Sequence, residues 1–151
     1  MKTLRHEACL AEILDRLKSV RPDSPRQWGR MNAHQMICHL NDSYLVAMGR
    51  RQASRAERPY GTVMKWLALN MPMKWPQGVP TRPEVDQEKS GTAPAQFDAD
   101  VQTVLALTED FARVPRSFTF ASHPIFGNMT EGEWMRWAYL HTDHHLRQFS
   151  R

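Results

Sequence analysis

Cysteine is scarce in this chain, which has Cys9 and Cys38 and no other among its 151 residues. The two do not form a Cys-x-x-Cys motif, which argues against a thioredoxin-like redox centre and against a zinc site built on a cysteine pair. They fall on different predicted helices, and we expect both to be free thiols. A chain of this length buries about 68–70% of its unfolded surface and needs no disulfide to hold a core. We therefore expect one domain, residues 1–151.

Long apolar runs are also missing. Nowhere do eighteen apolar residues follow one another, as a membrane-spanning helix requires. The first seven residues, MKTLRHE, lack the apolar region of a signal peptide. We therefore expect a cytoplasmic protein without a membrane partner.

The charge is only moderately basic, with 20 Lys and Arg against 16 Asp and Glu. Most of the local excess is an arginine cluster, Arg50, Arg51, Arg55 and Arg58. It is interpreted either as a phosphate-binding patch or as basic residues that complement a helix C-terminus and solubilise a loop, and the second is favoured. No aromatic interleaving or nucleic-acid motif accompanies the cluster, so a nucleic-acid partner is not expected.

What the chain does have is helical periodicity of its apolar residues in four long segments. The predicted long helices run from Leu4 to before Arg21, from Asn32 to about Gly49, from Pro94 to Val114, and from Thr130 through His145. Asn32 with Gln35, and Thr130 with Glu133, have the spacing of capping boxes. Two shorter segments, residues 62–71 and 117–120, are assigned as a helix and as a short strand or extended arm. There is no internal repeat, and the pattern predicts an all-α bundle.

Between these helices, five prolines interrupt the pattern in residues 72–94. A loop of this length in a compact domain is usually functional or disordered. Trp66, Met71, Met73 and Trp75 flank it or lie in it, which favours a loop packed on the body of the protein. It either walls a pocket or is a docked connector, and both interpretations stay open.

Three of the seven histidines lie within residues 141–145, HTDHH. At 100° per residue, His141 and His145 point about 40° apart and share the buried face of Trp134 and Ala138. Side chains at this spacing have Cβ atoms about 5–6 Å apart, so both imidazoles can bind one metal ion. The alternative is two core histidines, each with its own hydrogen-bond partner.

A catalytic zinc ion normally has three protein ligands and an open position. His39 is the best-placed third ligand because it lies on the flank of the apolar stripe of the second helix. His34 points away from it and is expected at the surface. His6 is near the terminus, and His123 is in a loop before Pro124.

The segments that carry these histidines resemble the DinB/YfiT-like superfamily of metalloenzymes. The resemblance rests on Trp28, on residues 31–40 (MNAHQMICHL) and on residues 141–148 (HTDHHLRQ). Residues 123–127 (HPIFG), followed by Trp134, resemble a branch of unknown function. Residues from about 50 to 115 match no motif of the superfamily. The resemblance implies a four-helix bundle, here with a long Pro-rich connection in the middle.

In that superfamily, one histidine of the second helix and an H-x-x-x-H pair of the last helix hold a divalent ion, often zinc or nickel. The resemblance thus implies His39, His141 and His145 as metal ligands. Many relatives have His-Arg-Gly-Gln at the end of the motif, whereas here the glycine is absent and Gln148 keeps its offset. Gln148 is interpreted as orienting a ligand or as a polar residue at a helix end. His144 is a substitute ligand or a substrate contact.

Three neutral ligands leave the ion its full charge, which activates bound water or stabilises a thiolate. Relatives include transferases that use low-molecular-weight thiols, and hydrolases. No general base stands out, since Asp42 lies past the ligand face and Asp143 is expected to point to solvent, and this favours thiol transfer to a small electrophile. The alternatives are a hydrolase and a non-catalytic binding protein whose metal site is closed by Cys38 or His144. His123 is a further candidate for substrate contact, and a homodimer is left open.

Overall fold

A computed structural model describes residues 1–56, 61–72 and 74–151 of the chain. Arg58 of the arginine cluster and Met73 of the Pro-rich segment lie outside the described residues. The α-helices are α1 (Glu7–Lys18), α2 (Ala33–Ala47), α3 (Gly61–Asn70), α4 (Phe97–Ala112) and α5 (Glu131–Gln148), with a 3₁₀ turn at Pro83–Val85. The described residues contain no strand, which confirms the all-α class. Within the same residues, no helix has both the length and the apolarity to cross a bilayer.

Both predicted capping boxes are present and fix where the two histidine-bearing helices begin. The Asn32 side chain accepts a hydrogen bond from the Gln35 backbone N–H, and the Gln35 side chain accepts one from the Asn32 N–H. Thr130 and Glu133 make the same reciprocal pair at α5. Because each box satisfies two backbone donors that the helix leaves unpaired, it favours this start over a shifted one.

The four long helices share one core. Helix α2 packs against α4 and α5, and α1 packs against the same two helices. The largest fully buried side chains include Met36, Ile37 and Leu40 of α2, Phe111 of α4, and Trp134 and Met135 of α5. This packing brings the middle of α2 against the C-terminal half of α5, where the histidines lie.

Helix α4 begins at Phe97 and not at Pro94, so the predicted start was three residues early. The segment before it stays extended because two of its backbone donors are taken by carboxylates of α2 and of α4 itself. The Thr92 N–H donates to Asp42 at 2.7 Å, and the Ala95 N–H donates to Asp100 at 3.4 Å. Pro94 lies between these two contacts and is part of the connection.

Residues 117–120 form an extended arm and not a strand. The arm is followed by a hydrogen bond from the Ala121 N–H to the Ala47 carbonyl at the end of α2, at 3.0 Å. Phe118 and Phe120 pack on Phe111, with ring centroids 5.9 and 5.2 Å away. Aromatic packing on the bundle, and not pairing with a neighbouring strand, therefore places the arm.

Candidate metal centre

His39 of α2 and His141 and His145 of α5 converge between the two helices. One ring nitrogen from each lies within 4.8 Å of the other two. The Nε2 atoms of His39 and His141 are 3.3 Å apart. Two nitrogens on one tetrahedral zinc ion lie about 3.3 Å apart, so this spacing suits a shared ion. The structure brings together the three residues that the sequence predicted as ligands, and their binding of a metal stays a prediction.

Two of the three rings are oriented by hydrogen bonds to their outer nitrogen. His39 Nδ1 lies 2.7 Å from the Val85 carbonyl oxygen, and His145 Nδ1 lies 3.1 Å from Gln148 Oε1. Each Nδ1 must donate to its oxygen acceptor, which leaves Nε2 unprotonated and available to an ion. Gln148 is itself fixed, because its Nε2 donates to the Trp28 carbonyl at 2.8 Å. The interpretation of Gln148 as a residue that orients a ligand is therefore favoured.

Gly29 leaves the space that Gln148 needs to hydrogen-bond His145. Gly29 has φ +80°, and a Cβ atom at this position would lie 2.5 Å from Gln148 Nε2. The turn also donates the Gln27 N–H to the Gln148 carbonyl at 2.7 Å. The turn between α1 and α2 is thus docked on the end of α5, and a side chain at Gly29 would push the glutamine away from His145.

Burial lowers the pKa of all three imidazoles, because a charged ring would lose its hydration. For His141 and His145, repulsion from the neighbouring rings lowers the pKa further. The rings are therefore neutral at pH 7, as metal ligation requires. Protons should compete with a metal ion only below the ordinary histidine range near 6.5.

The remaining histidines are not part of the three-histidine cluster. His6 is exposed just before α1. His34 is half-buried, with its Nε2 2.7 Å from Asp100 Oδ2, so the predicted surface position is only partly exposed. Periodicity placed it on a different face from His39, but could not show that α4 covers that face. His144 stays outside the three-histidine cluster and packs its ring 5.9 Å from that of Trp28.

A cavity of about 730 Å³ opens beside the three histidines. Its aromatic lining comprises Trp28, Trp75, Phe126, Trp134 and Trp137. The Trp137 ring stacks on His141, with centroids 4.8 Å apart and planes at 13°. Residues 75–86 of the Pro-rich segment supply one wall, so this segment walls a pocket. The volume is in the range of small-molecule binding sites.

His123 also lines the cavity, and its tautomer is fixed by its own loop. Its Nδ1 accepts the backbone N–H groups of Ile125 and Phe126, both at 3.1 Å. The ring proton must then be on Nε2, and burial lowers the pKa of the ring to about 3. His123 is therefore a neutral hydrogen-bond donor and not a fourth ligand to the cluster.

This burial predicts a pH dependence of stability. Because the folded pKa is about 3 and the unfolded value is about 6.5, the stability is fully present above pH 6.5 and is lost as pH falls toward 3. His123→Asn keeps an oxygen acceptor for the loop and removes this titration. In this variant, the unfolding free energy should fall between pH 7 and pH 5 by about 2 kcal/mol less than in the parent, as measured by urea denaturation. The exposed His6→Asn variant is the control and should follow the parent; equal pH dependence in all three proteins would contradict the assignment.

Sequence reasoning missed the role of Asp42. Its carboxylate is fully buried and accepts hydrogen bonds from Arg51 Nη1 at 2.6 Å, from Gln87 Nε2 at 2.9 Å, and from the backbone N–H and hydroxyl of Thr92 at 2.7 and 2.6 Å. The Asp42 carboxylate therefore holds in place the segment that contains Val85, and the Val85 carbonyl orients His39. The signal in the sequence was a carboxylate one turn after the predicted ligand, with no basic partner within its own helix.

Two other charged groups are engaged differently from the prediction. Asp143 does not point freely to solvent, since it accepts hydrogen bonds from Arg16 at 2.8 Å and Arg147 at 2.9 Å. In the arginine cluster, Arg50 pairs with Asp110 at 3.0 Å, and Arg51 pairs with Asp42. Both arginines are thus engaged in ion pairs with carboxylates of the helices, which disfavours a phosphate-binding patch.

Fold and site define an all-helical protein with a largely buried histidine cluster that could hold a metal ion, beside an aromatic cavity. Residues 1–151 match the family described as "Protein of unknown function (DUF1569)", and the chain belongs to this family. No curated protein and no solved structure matches the chain.

Proposed function

We propose that the protein is a divalent-metal-dependent enzyme of the DinB/YfiT type, which transfers a low-molecular-weight thiol to a small electrophile. The proposed metal is zinc or nickel, held by His39, His141 and His145. The observation that carries the proposal is the position of these three nitrogen donors at the wall of a cavity large enough for a substrate. The shared core of α1, α2, α4 and α5 supports a four-helix bundle of this type.

The ligand set favours catalysis over a structural role. A structural zinc site is closed by a fourth protein ligand. Within the part of the chain that the structure describes, neither Cys38 nor His144 belongs to the three-histidine cluster. A fourth position is therefore left to a substrate or to water.

A +2 ion in this position would stabilise a thiolate or lower the pKa of a bound water molecule. The residues around it suit an apolar electrophile, because indole and phenyl rings form much of the cavity wall and exclude water. In the proposed reaction, the thiolate sulfur forms a bond to an electrophilic carbon, and the leaving group departs with the bonding electrons. The Nε2–H of His123 is a neutral donor for an acceptor atom of the electrophile.

A hydrolase is the second candidate, and one residue favours it. Asp86 is buried in the cavity wall and directly follows Val85, whose carbonyl is bonded to His39. As a base it would take a proton from water. However, its Oδ1 accepts the Glu88 N–H at 3.0 Å, and its Oδ2 pairs with Lys89 at 3.4 Å. Thiol transfer needs no such base and is therefore the first proposal.

Two assays on the metal-loaded protein separate these candidates. We expect conjugation of an aryl chloride with one of several small thiols, and no thiol-independent cleavage of a nitrophenyl ester. Asp86→Asn should leave conjugation within about twofold of the parent, whereas a hydrolase that uses this base should lose about 100-fold or more in rate. Ester cleavage that needs no thiol and collapses in this variant would replace the transferase by the hydrolase. A metal-loaded protein that is silent in both assays would favour the non-catalytic binding protein.

A further inference from the structure

A second group of potential metal ligands lies where α2 meets α4. It consists of His34 and Cys38, one turn apart on α2, and Asp100 of α4. One potential ligand atom from each lies within 4.8 Å of the other two. Asp100 Oδ2 is at the centre, 2.7 Å from His34 Nε2 and 3.7 Å from Cys38 Sγ. The group shares no residue with the three-histidine cluster.

The two separations from Asp100 Oδ2 are close to those around a zinc ion. Ligand atoms on one tetrahedral zinc ion lie about 3.3 Å apart for nitrogen and oxygen, and about 3.5 Å apart for sulfur and oxygen. The Sγ to Oδ2 distance already fits. Moving His34 Nε2 away from Asp100 by about half an ångström would give the nitrogen–oxygen spacing.

Other contacts hold the His34 ring and the backbone of Asp100 in place. The Phe97 ring packs edge-on against His34, with centroids 5.3 Å apart and planes at 80°. The Asn41 side chain donates to the Asp100 carbonyl at 3.1 Å, which fixes the start of α4 against α2. Cys38 is fully buried, whereas the side chains of His34 and Asp100 are 20% and 21% exposed. An ion could therefore enter from solvent and keep a water molecule as its fourth ligand.

The charge of this donor set also balances that of a divalent ion. As a thiol, Cys38 points its proton at Asp100 Oδ2, with Sγ 3.7 Å from that oxygen. A divalent ion would displace this proton, since a coordinating thiol is deprotonated outright. Thiolate, carboxylate, neutral imidazole and a +2 ion sum to zero charge. A neutral assembly is far less costly to bury than a lone thiolate.

We infer that His34, Cys38 and Asp100 form a second divalent-metal site, of the mixed nitrogen, sulfur and oxygen type that zinc accepts, which ties α2 to α4. The inference is independent of the proposed function. The ion cross-links the first two turns of α2 to the first turn of α4, and α2 carries His39 on another face.

Cobalt substitution without added thiol tests this site selectively, because the three-histidine cluster contains no protein sulfur. The parent should show a sulfur-to-cobalt charge-transfer band and hold about two ions per chain, one in each site. Cys38→Ser should lose the band and hold about one ion, and His34→Gln should weaken binding at this site more than about tenfold. His141→Ala should keep the band.

The matched control is Cys9→Ser on α1, since Cys9 is the other free cysteine and lies outside the group. This variant should keep both the band and the second ion. A parent that shows no band at saturating cobalt would overturn the inference. A band that survives Cys38→Ser but vanishes in Cys9→Ser would also overturn it. Because His34 is partly exposed and lies outside the core, His34→Gln tests the same site if Cys38→Ser disturbs the core.

Discussion

His141→Ala should cost the protein most of its affinity for metal at the three-histidine cluster. Removing an outer residue that only supports a metal ligand typically costs 10–100-fold in affinity, so loss of a ligand itself should weaken binding by more than about 100-fold. Two imidazoles cannot hold a divalent ion as three do. Competition with a chelator, followed by metal analysis, measures the change. Cys38→Ser serves as the background, so that the second site does not contribute.

The matched control is His144→Ala on the same helix. His144 also lines the cavity and is half-buried, but it lies outside the cluster. We expect its metal affinity to stay within about threefold of the parent, because none of the proposed ligands or their hydrogen-bond partners is changed. If both variants retain metal equally well, the assignment of His141 is wrong. If His144→Ala loses more metal than His141→Ala, the ligand set must include His144.

The convergence of the three histidines could be predicted from the sequence because local sequence patterns determine it. The capping boxes at Asn32 and Thr130 set where α2 and α5 begin. Helical periodicity then gives the face on which each histidine lies. Two helices that bury these faces in one core must bring the rings close together. The pattern thus predicted the candidate ligands before any tertiary contact was known.

What surrounds the histidines depends on contacts between distant parts of the chain. The Val85 carbonyl that orients His39 is 46 residues away in sequence and belongs to a segment without helical periodicity. For the same reason, the pairing of His34 with Asp100 was not predicted, since periodicity shows which face a residue occupies but not which helix covers it. The late start of α4 at Phe97 depends on backbone hydrogen bonds to carboxylates of α2 and α4 itself. No local rule detects these.

Among these distant contacts, those of Asp42 are expected to have the largest effect on the free energy of unfolding. Asp42→Asn keeps the size of the side chain but removes its charge and replaces one acceptor oxygen by an NH₂ group. Arg51, Gln87 and Thr92 all donate to this carboxylate, so at least one donor would face another donor. Breaking a buried charge pair costs about 3–5 kcal/mol, and the partial exposure of Arg51 places the expected loss of unfolding free energy near 3 kcal/mol.

The same substitution should weaken metal binding without touching a ligand. Once the segment after the 3₁₀ turn is released, the Val85 carbonyl no longer holds His39 Nδ1, and the ring can turn away from His141. Loss of such a support typically costs 10–100-fold in metal affinity. Asp110→Asn is the matched control, because Asp110 pairs with Arg50 at the surface of α4, and it should lose less than about 1 kcal/mol and keep its metal affinity. Urea denaturation and metal competition on both variants, at a temperature where each is folded, separate the two effects. A destabilised Asp42→Asn protein with unchanged metal affinity would show that Asp42 supports the fold but does not position His39.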